Sequence, residues 1–162
     1  HMSAFFGNFM IALRAYAYIL TLGDEGLKDV ARHAVLNANY ILARLRAAYQ
    51  PAFDAQFMHE CVFTAAPQNE HGVHALDIAK GLLDQGFHAP TIYFPLTVKE
   101  SIMIEPTETE SKETIDAFCD AMLSLAEQAK TDPEALHRAP INTPVGRLDE
   151  VRAARELNCA LL

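Results

Sequence analysis

The sequence lacks the features that identify a membrane, secreted or nucleic-acid-binding protein. No apolar run approaches the roughly 20 residues that a helix needs to cross a bilayer, and no charged-then-apolar signal peptide opens the chain. Basic residues are outnumbered by acidic ones, and the net charge is −8. Because nucleic acids and anionic membranes repel an acidic protein, neither is an expected partner.

Cysteine is scarce as well. The three cysteines, Cys61, Cys119 and Cys159, are odd in number and widely spaced, and no C-x-x-C pair occurs. Neither a disulfide framework nor a zinc site is expected from this pattern. We predict that Cys61 and Cys119 are small buried apolar residues. Reduced thiols indicate a cytoplasmic protein, or one of the mitochondrial matrix if the source is eukaryotic.

Short catalytic motifs are missing too. The chain contains no G-x-S-x-G, P-loop, G-x-G-x-x-G or H-E-x-x-H sequence and no internal repeat. His71 and His74 have i,i+3 spacing, but they flank Gly72 and have no third ligand at useful spacing. We therefore predict a solvated histidine pair and no metal site. Motifs alone do not indicate an activity.

What the chain does contain is 162 residues, 51% of them apolar, which is enough for one domain with a core. Apolar residues at helical spacing predict two long helices that meet at Gly23 and end before Pro51. The segments that follow predict a β-α-β-β-α order, hence an α/β or α+β fold with a three-stranded sheet. These segments are FMHECVFTA, GVHALDIAKGLLDQG, TIYFPL, SIMIEP and SKETIDAFCDAMLSLAEQAK.

Composition divides the chain into four parts. Residues 1–2 are typical of a cloning remnant, so we expect the native segment to begin at position 3. Residues 3–50 are a helical lead-in, whose apolar faces exceed what a three-stranded sheet can cover. Residues 51–131 form the small α/β domain. Residues 132–162 contain three prolines and are expected to be an extended C-terminal tail with one short helical turn.

Several polar residues lie in the predicted strands. His59 and Glu60 are adjacent in the middle of the first strand, where alternation places their side chains on opposite faces. One of them would therefore face the core or a cleft. Tyr93 shares a predicted strand face with Thr91, and its side chain either packs in the core with a bonded hydroxyl or lines a pocket.

An acidic, hydroxyl-rich stretch precedes the last helix. Thr107 and Glu110 have the spacing of a capping box, and Thr109 or Ser111 could also be the N-cap. Glutamates at this point complement the positive end of the helix dipole. This local role accounts for most of the stretch, but not for Glu105, which ends a strand before a proline.

Long strings of the sequence resemble one family. The chain is similar to the C-terminal part of the glycine decarboxylase P-protein, or glycine dehydrogenase (aminomethyl-transferring), and most to its second subunit or second half. The similarity runs in order from about Phe5 to Glu150, and Cys61 departs from it where a bulky apolar residue is expected. The strings that carry it are GNFMIALRAYAYILTLG, AVLNANYILARL, MHECVF, LDIAKGLLDQGFHAPTIYFPL, IMIEPTETESKETIDAF and TPVGRLDE.

The resemblance implies a fold and a chemistry. The P-protein is a pyridoxal-phosphate enzyme of the aspartate aminotransferase fold type. It releases carbon dioxide from glycine and passes the aminomethyl group to the lipoyl arm of the H-protein. The implied partners are the large domain or the other P-protein subunit, and the lipoylated H-protein.

The family's cofactor lysine lies in a His-Lys motif, which this chain does not contain. None of the lysines follows a histidine: they are Lys28, Lys80, Lys99, Lys112 and Lys130. The resemblance thus implies a small domain that has no catalytic residue of its own and binds no pyridoxal phosphate covalently. We expect this chain alone to be inactive and to self-associate through its first helix.

The resemblance assigns no specific role to any residue of this chain. Our candidates for a cleft wall or an interdomain surface are His59, Glu60, Thr91, Tyr93, Glu105, Thr107 and Glu108. The alternative is a non-catalytic interaction module, which would dock a partner subunit through the apolar faces of its first two helices. A complete small α+β enzyme is disfavoured, because no nucleophile–base pair or metal cluster is evident.

Overall fold

The computed structural model describes residues 7–157. It is a mixed α/β structure, which confirms the predicted fold class. The elements in chain order are α1 (Phe9–Leu45), β1 (Gln50–Pro51), β2 (Cys61–Thr64), α2 (Ala66–Asn69), α3 (Ala75–Asp84), β3 (Thr91–Ile92), β4 (Ser101–Ile104), α4 (Lys112–Thr131), α5 (Pro133–Arg138) and α6 (Glu150–Arg155). No helix among these is long and apolar enough to cross a membrane.

Helix α1 consists of two helical segments. Asn8 is its N-cap, since the side-chain Oδ1 accepts a hydrogen bond from the backbone N–H of Met10 at 2.9 Å. Gly23 interrupts the helical backbone with φ 64° and ψ −172°. The prediction of two helices that meet at Gly23 is therefore confirmed.

Only the end of α1 belongs to the core. Ala38, Ile41 and Leu45 are buried, whereas no residue from 7 to 37 is. The last turns of the predicted lead-in, residues 3–50, pack in the core, and β1 begins at Gln50. The first segment of α1 instead exposes a row of large apolar side chains: Phe9, Met10, Ile11, Leu13, Tyr16, Tyr18, Ile19 and Leu20.

The sheet has four antiparallel strands in the order β1-β2-β4-β3. Strand β1 has only two residues and was not predicted from the sequence. Cys61 pairs with Ile104, and Ile92 pairs with Ile102. The strand predicted from SIMIEP is confirmed. The strand predicted from TIYFPL stops at Ile92, because Tyr93 has a φ of 58° and leaves the extended conformation.

Alternate residues of β2 and β4 build the core. Cys61, Phe63, Ile102 and Ile104 belong to one buried cluster with residues of α1, α3 and α4. Tyr49 joins this cluster, and its hydroxyl donates to the carbonyl of Met122 at 2.9 Å. Cys61 is fully buried, as is Cys119 in α4, which confirms both cysteine predictions. Cys159 lies outside the described residues.

Helix α4 begins directly after the acidic stretch. Its N-cap is Ser111, whose Oγ accepts from the backbone N–H of Thr114 at 3.2 Å. Of the N-caps that the sequence allows, the structure therefore selects Ser111, and Thr107 lies farther upstream. The helix ends at Thr131, and Asp132 then caps α5 by accepting from the N–H of Ala135.

The C-terminal part is not an extended tail. It contains α5 and α6, and the side chain of Leu136 in α5 is buried. Pro133 was interpreted as a signal for extended chain, but it occupies the start of α5, where a missing N–H has no consequence.

Arg147 connects the segment after α5 to α3 through hydrogen bonds. Nη2 of Arg147 donates to the carboxylate of Asp77 at 2.6 Å and to the carbonyl of Leu136 at 3.0 Å. Its Nε donates to the carbonyl of Ala139 at 2.8 Å. Because Asp77 is buried, this guanidinium compensates a charge that would otherwise be costly.

Candidate functional site

A groove of about 340 Å³ opens where β4 ends and the chain turns toward α4. The segment that leads into β3 forms its second side. Its floor is apolar, and the rings of Phe87 and Phe118 meet edge to face with centroids 5.6 Å apart. The floor residues are Ile41, Phe87, Met103, Ile104, Ile115 and Phe118.

The rim of the groove is polar and acidic. It carries two carboxylates, one imidazole and three hydroxyls, and no lysine or arginine lines it among the residues that the structure describes. Such a rim attracts a cationic group and repels an anion. The rim residues are Thr91, Thr107, Thr114, His88, Glu105 and Glu110.

Glu105 lies at the centre of the predicted site. It follows the last residue of β4 and is exposed, while the next residue, Pro106, is buried. One ligand atom from each of His59, Glu60 and Glu105 lies within 4.8 Å of the others. Glu105 therefore joins the groove to a second polar group beside it.

The predicted geometry of His59 and Glu60 is wrong. They precede β2 instead of lying inside it, so strand alternation does not separate their side chains. Nε2 of His59 and Oε2 of Glu60 are 3.8 Å apart. Both side chains reach toward the end of β4, and neither enters the core.

Thr107 has a fixed position on the rim. The Nδ2 group of Asn37 in α1 donates to its carbonyl at 2.9 Å, and its hydroxyl lies 2.7 Å from that of Thr109. The turn is thereby held between α1 and α4. Glu108 is half-buried beside it and does not line the groove.

Tyr93 lies at the opposite end of β4. Its backbone N–H donates to the carbonyl of Ser101 at 2.9 Å, and partial burial, with the nearby charge of Glu100, raises the pKa of its hydroxyl. His59 precedes β2 and Tyr93 follows β3, and β4 lies between these two strands. Of the seven candidates, the structure places Thr91, Glu105 and Thr107 in the groove and His59 and Glu60 next to it.

Sequence reasoning missed part of the groove. Phe87 and His88 lie shortly before a predicted strand, Glu110 was interpreted through helix capping alone, and Thr114 was not singled out. The string GFHAPTIYFPL carried the signal, because it sets three aromatic residues and a histidine close to Thr91. No local rule shows that this string meets the end of β4.

The thiols near the groove are not nucleophiles. Burial raises the pKa of the Cys61 thiol to about 12 and that of Cys119 to about 11. A thiol with such a pKa remains protonated at neutral pH, and the thiolate is the reactive form.

Two of the lysines are held in ion pairs. Nζ of Lys28 donates to Asp24 and Nζ of Lys112 to Asp116, each at 2.6 Å. These contacts raise the pKa of both ammonium groups. A lysine that reacts with a carbonyl needs a lowered pKa. Lys28 and Lys112 therefore lack the lowered pKa that a reactive amine requires, and neither lines the groove.

Comparison with known proteins confirms the family resemblance of the sequence. The family model for “Glycine dehydrogenase, C-terminal domain” matches residues 30–141. “Probable glycine dehydrogenase (decarboxylating) subunit 2” of Chlorobaculum tepidum is 54% identical over 97% of this chain and 32% of its own length. The proteins of the same name from Staphylococcus haemolyticus and Exiguobacterium sibiricum are each 57% identical over 94% of this chain and 31% of their own lengths. The chain thus spans about a third of the length of these relatives.

Proposed function

The chain belongs to the glycine dehydrogenase C-terminal domain family, and from this premise we propose that it forms one wall of the catalytic cleft of a glycine decarboxylase. The intact enzyme would release carbon dioxide from glycine and transfer the aminomethyl group to the lipoyl arm of an H-protein. The observation that carries the proposal is the groove at the end of β4, with its apolar floor and acidic rim.

The groove does not fit the cofactor that the family implies. Pyridoxal phosphate carries a phosphate ester, whereas the rim offers Glu105 and Glu110 and no lysine or arginine among the described residues that line it. Carboxylates repel a phosphate. We therefore assign the cofactor's phosphate site and its lysine to the remaining two thirds of the relatives' length. The residues of this chain have no proposed chemical role at the cofactor.

Three properties of the groove support a role as a wall. Its apolar floor would exclude water from the surface that it covers. Asn37 holds the Thr107 turn at one position, so the rim is preorganised. Glu105 presents a carboxylate at the open end, which would attract a positively charged group on the facing surface.

The exposed first segment of α1 supports the proposal of a second protein surface that packs against it. Large apolar side chains cover its surface from Phe9 to Leu20, and exposed patches of this kind mark interaction sites. The relatives are named as a second subunit, so we propose that this segment docks onto the large domain or the other P-protein subunit. Since the relatives are bacterial, the proposed compartment is the bacterial cytoplasm.

The wall proposal predicts that this chain alone has no decarboxylase activity. With pyridoxal phosphate and carboxyl-labelled glycine, we expect no release of labelled carbon dioxide above the protein-free rate. We also expect no absorbance band of lysine-bound cofactor that survives dilution. A persistent band or measurable release would contradict the assignment of the lysine to another part of the enzyme.

A substitution in the intact enzyme tests the site itself. Glu105→Gln keeps the shape of the side chain and removes its charge. We expect turnover or cofactor affinity to fall about tenfold, the size of one lost hydrogen bond to a charged group. Glu134→Gln, at an exposed position in α5, is the matched control. If both variants match the parent enzyme, Glu105 does not face the cleft.

A second candidate function is a non-catalytic interaction module, which the exposed surface of α1 favours. Both candidates predict that this segment binds a protein surface, but only the wall proposal predicts the effect of Glu105→Gln. Sedimentation of this chain at about 100 μM would reveal self-association. Leu20→Glu should abolish it, and Leu148→Glu, in an exposed tail position, should not. A monomeric parent chain would contradict the expected self-association.

A further inference from the structure

We propose that His59, Glu60 and Glu105 form a binding site for one divalent transition-metal ion, of the Zn²⁺ or Mn²⁺ class. Each residue offers one ligand atom, and the three atoms lie within 4.8 Å of one another. The site goes beyond the wall function, which requires no metal. The sequence could not reveal it, because 44 positions separate Glu60 from Glu105.

The pairing of β2 with β4 brings the two carboxylates together. Cys61 and Ile104 form the last pair of the ladder, and Glu60 and Glu105 each lie one residue beyond it. Like charges directly opposite each other on paired strands destabilise a sheet.

Among the described residues, no lysine or arginine compensates the negative charges of Glu60 and Glu105. Within residues 7–157, no lysine or arginine forms an ion pair with Glu60 or Glu105, and the only cationic partner of Glu60 is His59 at 3.8 Å. A single imidazole does not cancel two negative charges, but it can act as a metal ligand. A bound dication would neutralise both carboxylates at once.

The ligand set selects the class of metal. One imidazole nitrogen and two carboxylate oxygens suit Zn²⁺ and Mn²⁺ better than Ca²⁺ or Mg²⁺, which prefer oxygen alone. Bonds of about 2.0–2.2 Å place tetrahedral ligand atoms about 3.4 Å apart. The side chains of His59 and Glu60 are 63% and 37% exposed, so rotation about their side-chain bonds can bring the atoms to that spacing.

Such an ion would connect the start of β2 to the end of β4. It would also hold Glu105 at the edge of the groove and leave at least one coordination position open. If the wall proposal fails, the metal site remains, because it depends only on these three side chains.

Titration calorimetry of this 162-residue chain with ZnCl₂ and then MnCl₂ tests the proposal. His1→Ser and Cys159→Ser in the parent chain remove competing ligands outside the described residues. We expect one Zn²⁺ per chain with a dissociation constant between about 1 and 100 μM, typical of a three-ligand surface site. The absorption fine structure of bound Zn²⁺ should show one imidazole shell and oxygen ligands.

Variants locate the site. Glu105→Gln and His59→Asn should each weaken Zn²⁺ binding at least tenfold, whereas Glu70→Gln and His71→Asn, at exposed positions without this geometry, should leave it unchanged. Far-UV circular dichroism checks that each variant is folded. No binding up to 1 mM Zn²⁺, equal affinity in the Glu105 and His59 variants, or a spectrum without imidazole would overturn the proposal.

Discussion

The two ends of α1 have similar sequences and opposite environments. Both carry apolar residues at helical spacing, yet Leu20 is 64% exposed and Leu45 is completely buried. Local propensity is the same for the two leucines, so the difference arises from what the rest of the chain can reach. Periodicity predicts a helix and its apolar face, but it does not predict which part of that face finds a partner.

This contrast has an energetic meaning. A leucine that is fully removed from water contributes about 2 kcal/mol relative to an exposed one, and the first segment of α1 makes no such contribution within the described chain. An apolar surface of this extent is expected to be covered in the functional assembly. The stability of the domain therefore depends on the end of α1 that reaches the core, and the proposed docking depends on the other end.

Leucine truncation should give the largest difference between the two ends. Leu45→Ala opens a cavity in the core, so we expect the free energy of unfolding to fall by about 2–5 kcal/mol. Leu20→Ala touches no core residue and should change it by less than about 0.5 kcal/mol. Urea unfolding followed by circular dichroism measures both. Equal losses would show that the first segment is part of the cooperative unit.

Tyrosine gives a smaller and more specific test. Tyr49→Phe removes the buried hydroxyl that donates to the carbonyl of Met122, and we expect a loss of about 1 kcal/mol. Tyr16→Phe, in the exposed segment, is the matched change and should have no measurable effect. If the Tyr49 variant is as stable as the parent chain, that hydrogen bond adds nothing to the packing of the ring.

The smallest effect should appear as a pH dependence at the buried end. Lys112 and Tyr40 donate hydrogen bonds to Asp116, and these lower the pKa of its carboxyl group. A group whose folded pKa is lowered stabilises the protein above its unfolded pKa of about 4, and this contribution is lost as the pH falls through the folded value. Stability should therefore decline below pH 4.

Substitution separates this effect from general acid unfolding. Asp116→Asn should reduce stability at pH 7 by less than Tyr49→Phe does, and it should flatten the dependence below pH 4. Asp29→Asn removes an exposed ion pair with Arg32 near the start of the second segment of α1 and should do neither. Identical pH profiles for the parent chain and the Asp116 variant would contradict a role for this carboxylate.

The sequence was informative where local rules decide the structure. Gly23 marked the junction of two helical segments, and SIMIEP marked β4, because both signals act over a few residues. The predicted strands around His59 and Tyr93 were too long, since pairing partners and the positive φ of Tyr93 end them. The β1-β2-β4-β3 order depends on long-range pairing, which no local pattern specifies.

The candidate site shows the same limit. Glu105 stood out because a charged residue that ends a strand has no capping role, and Thr91 and Thr107 lie beside it in the groove. Phe87 and His88 went unnoticed because their part in the groove exists only after β3 pairs with β4. Tyr93 was selected because it lay in a predicted strand, but it lies at the end of β4 opposite the groove, next to Ser101.

Gly23 also has a consequence for how the protein can change over generations. Its φ of 64° and ψ of −172° fall in a region that other residues occupy only at high cost. Because Gly23 has no Cβ, its backbone can adopt this conformation, which sets the direction of about 21 Å of helix, from Phe9 to Leu22. A substitution at position 23 would change the direction of the first segment of α1 without disturbing the core. In a descendant protein, such a substitution could abolish the proposed docking of this segment while the domain still folded normally.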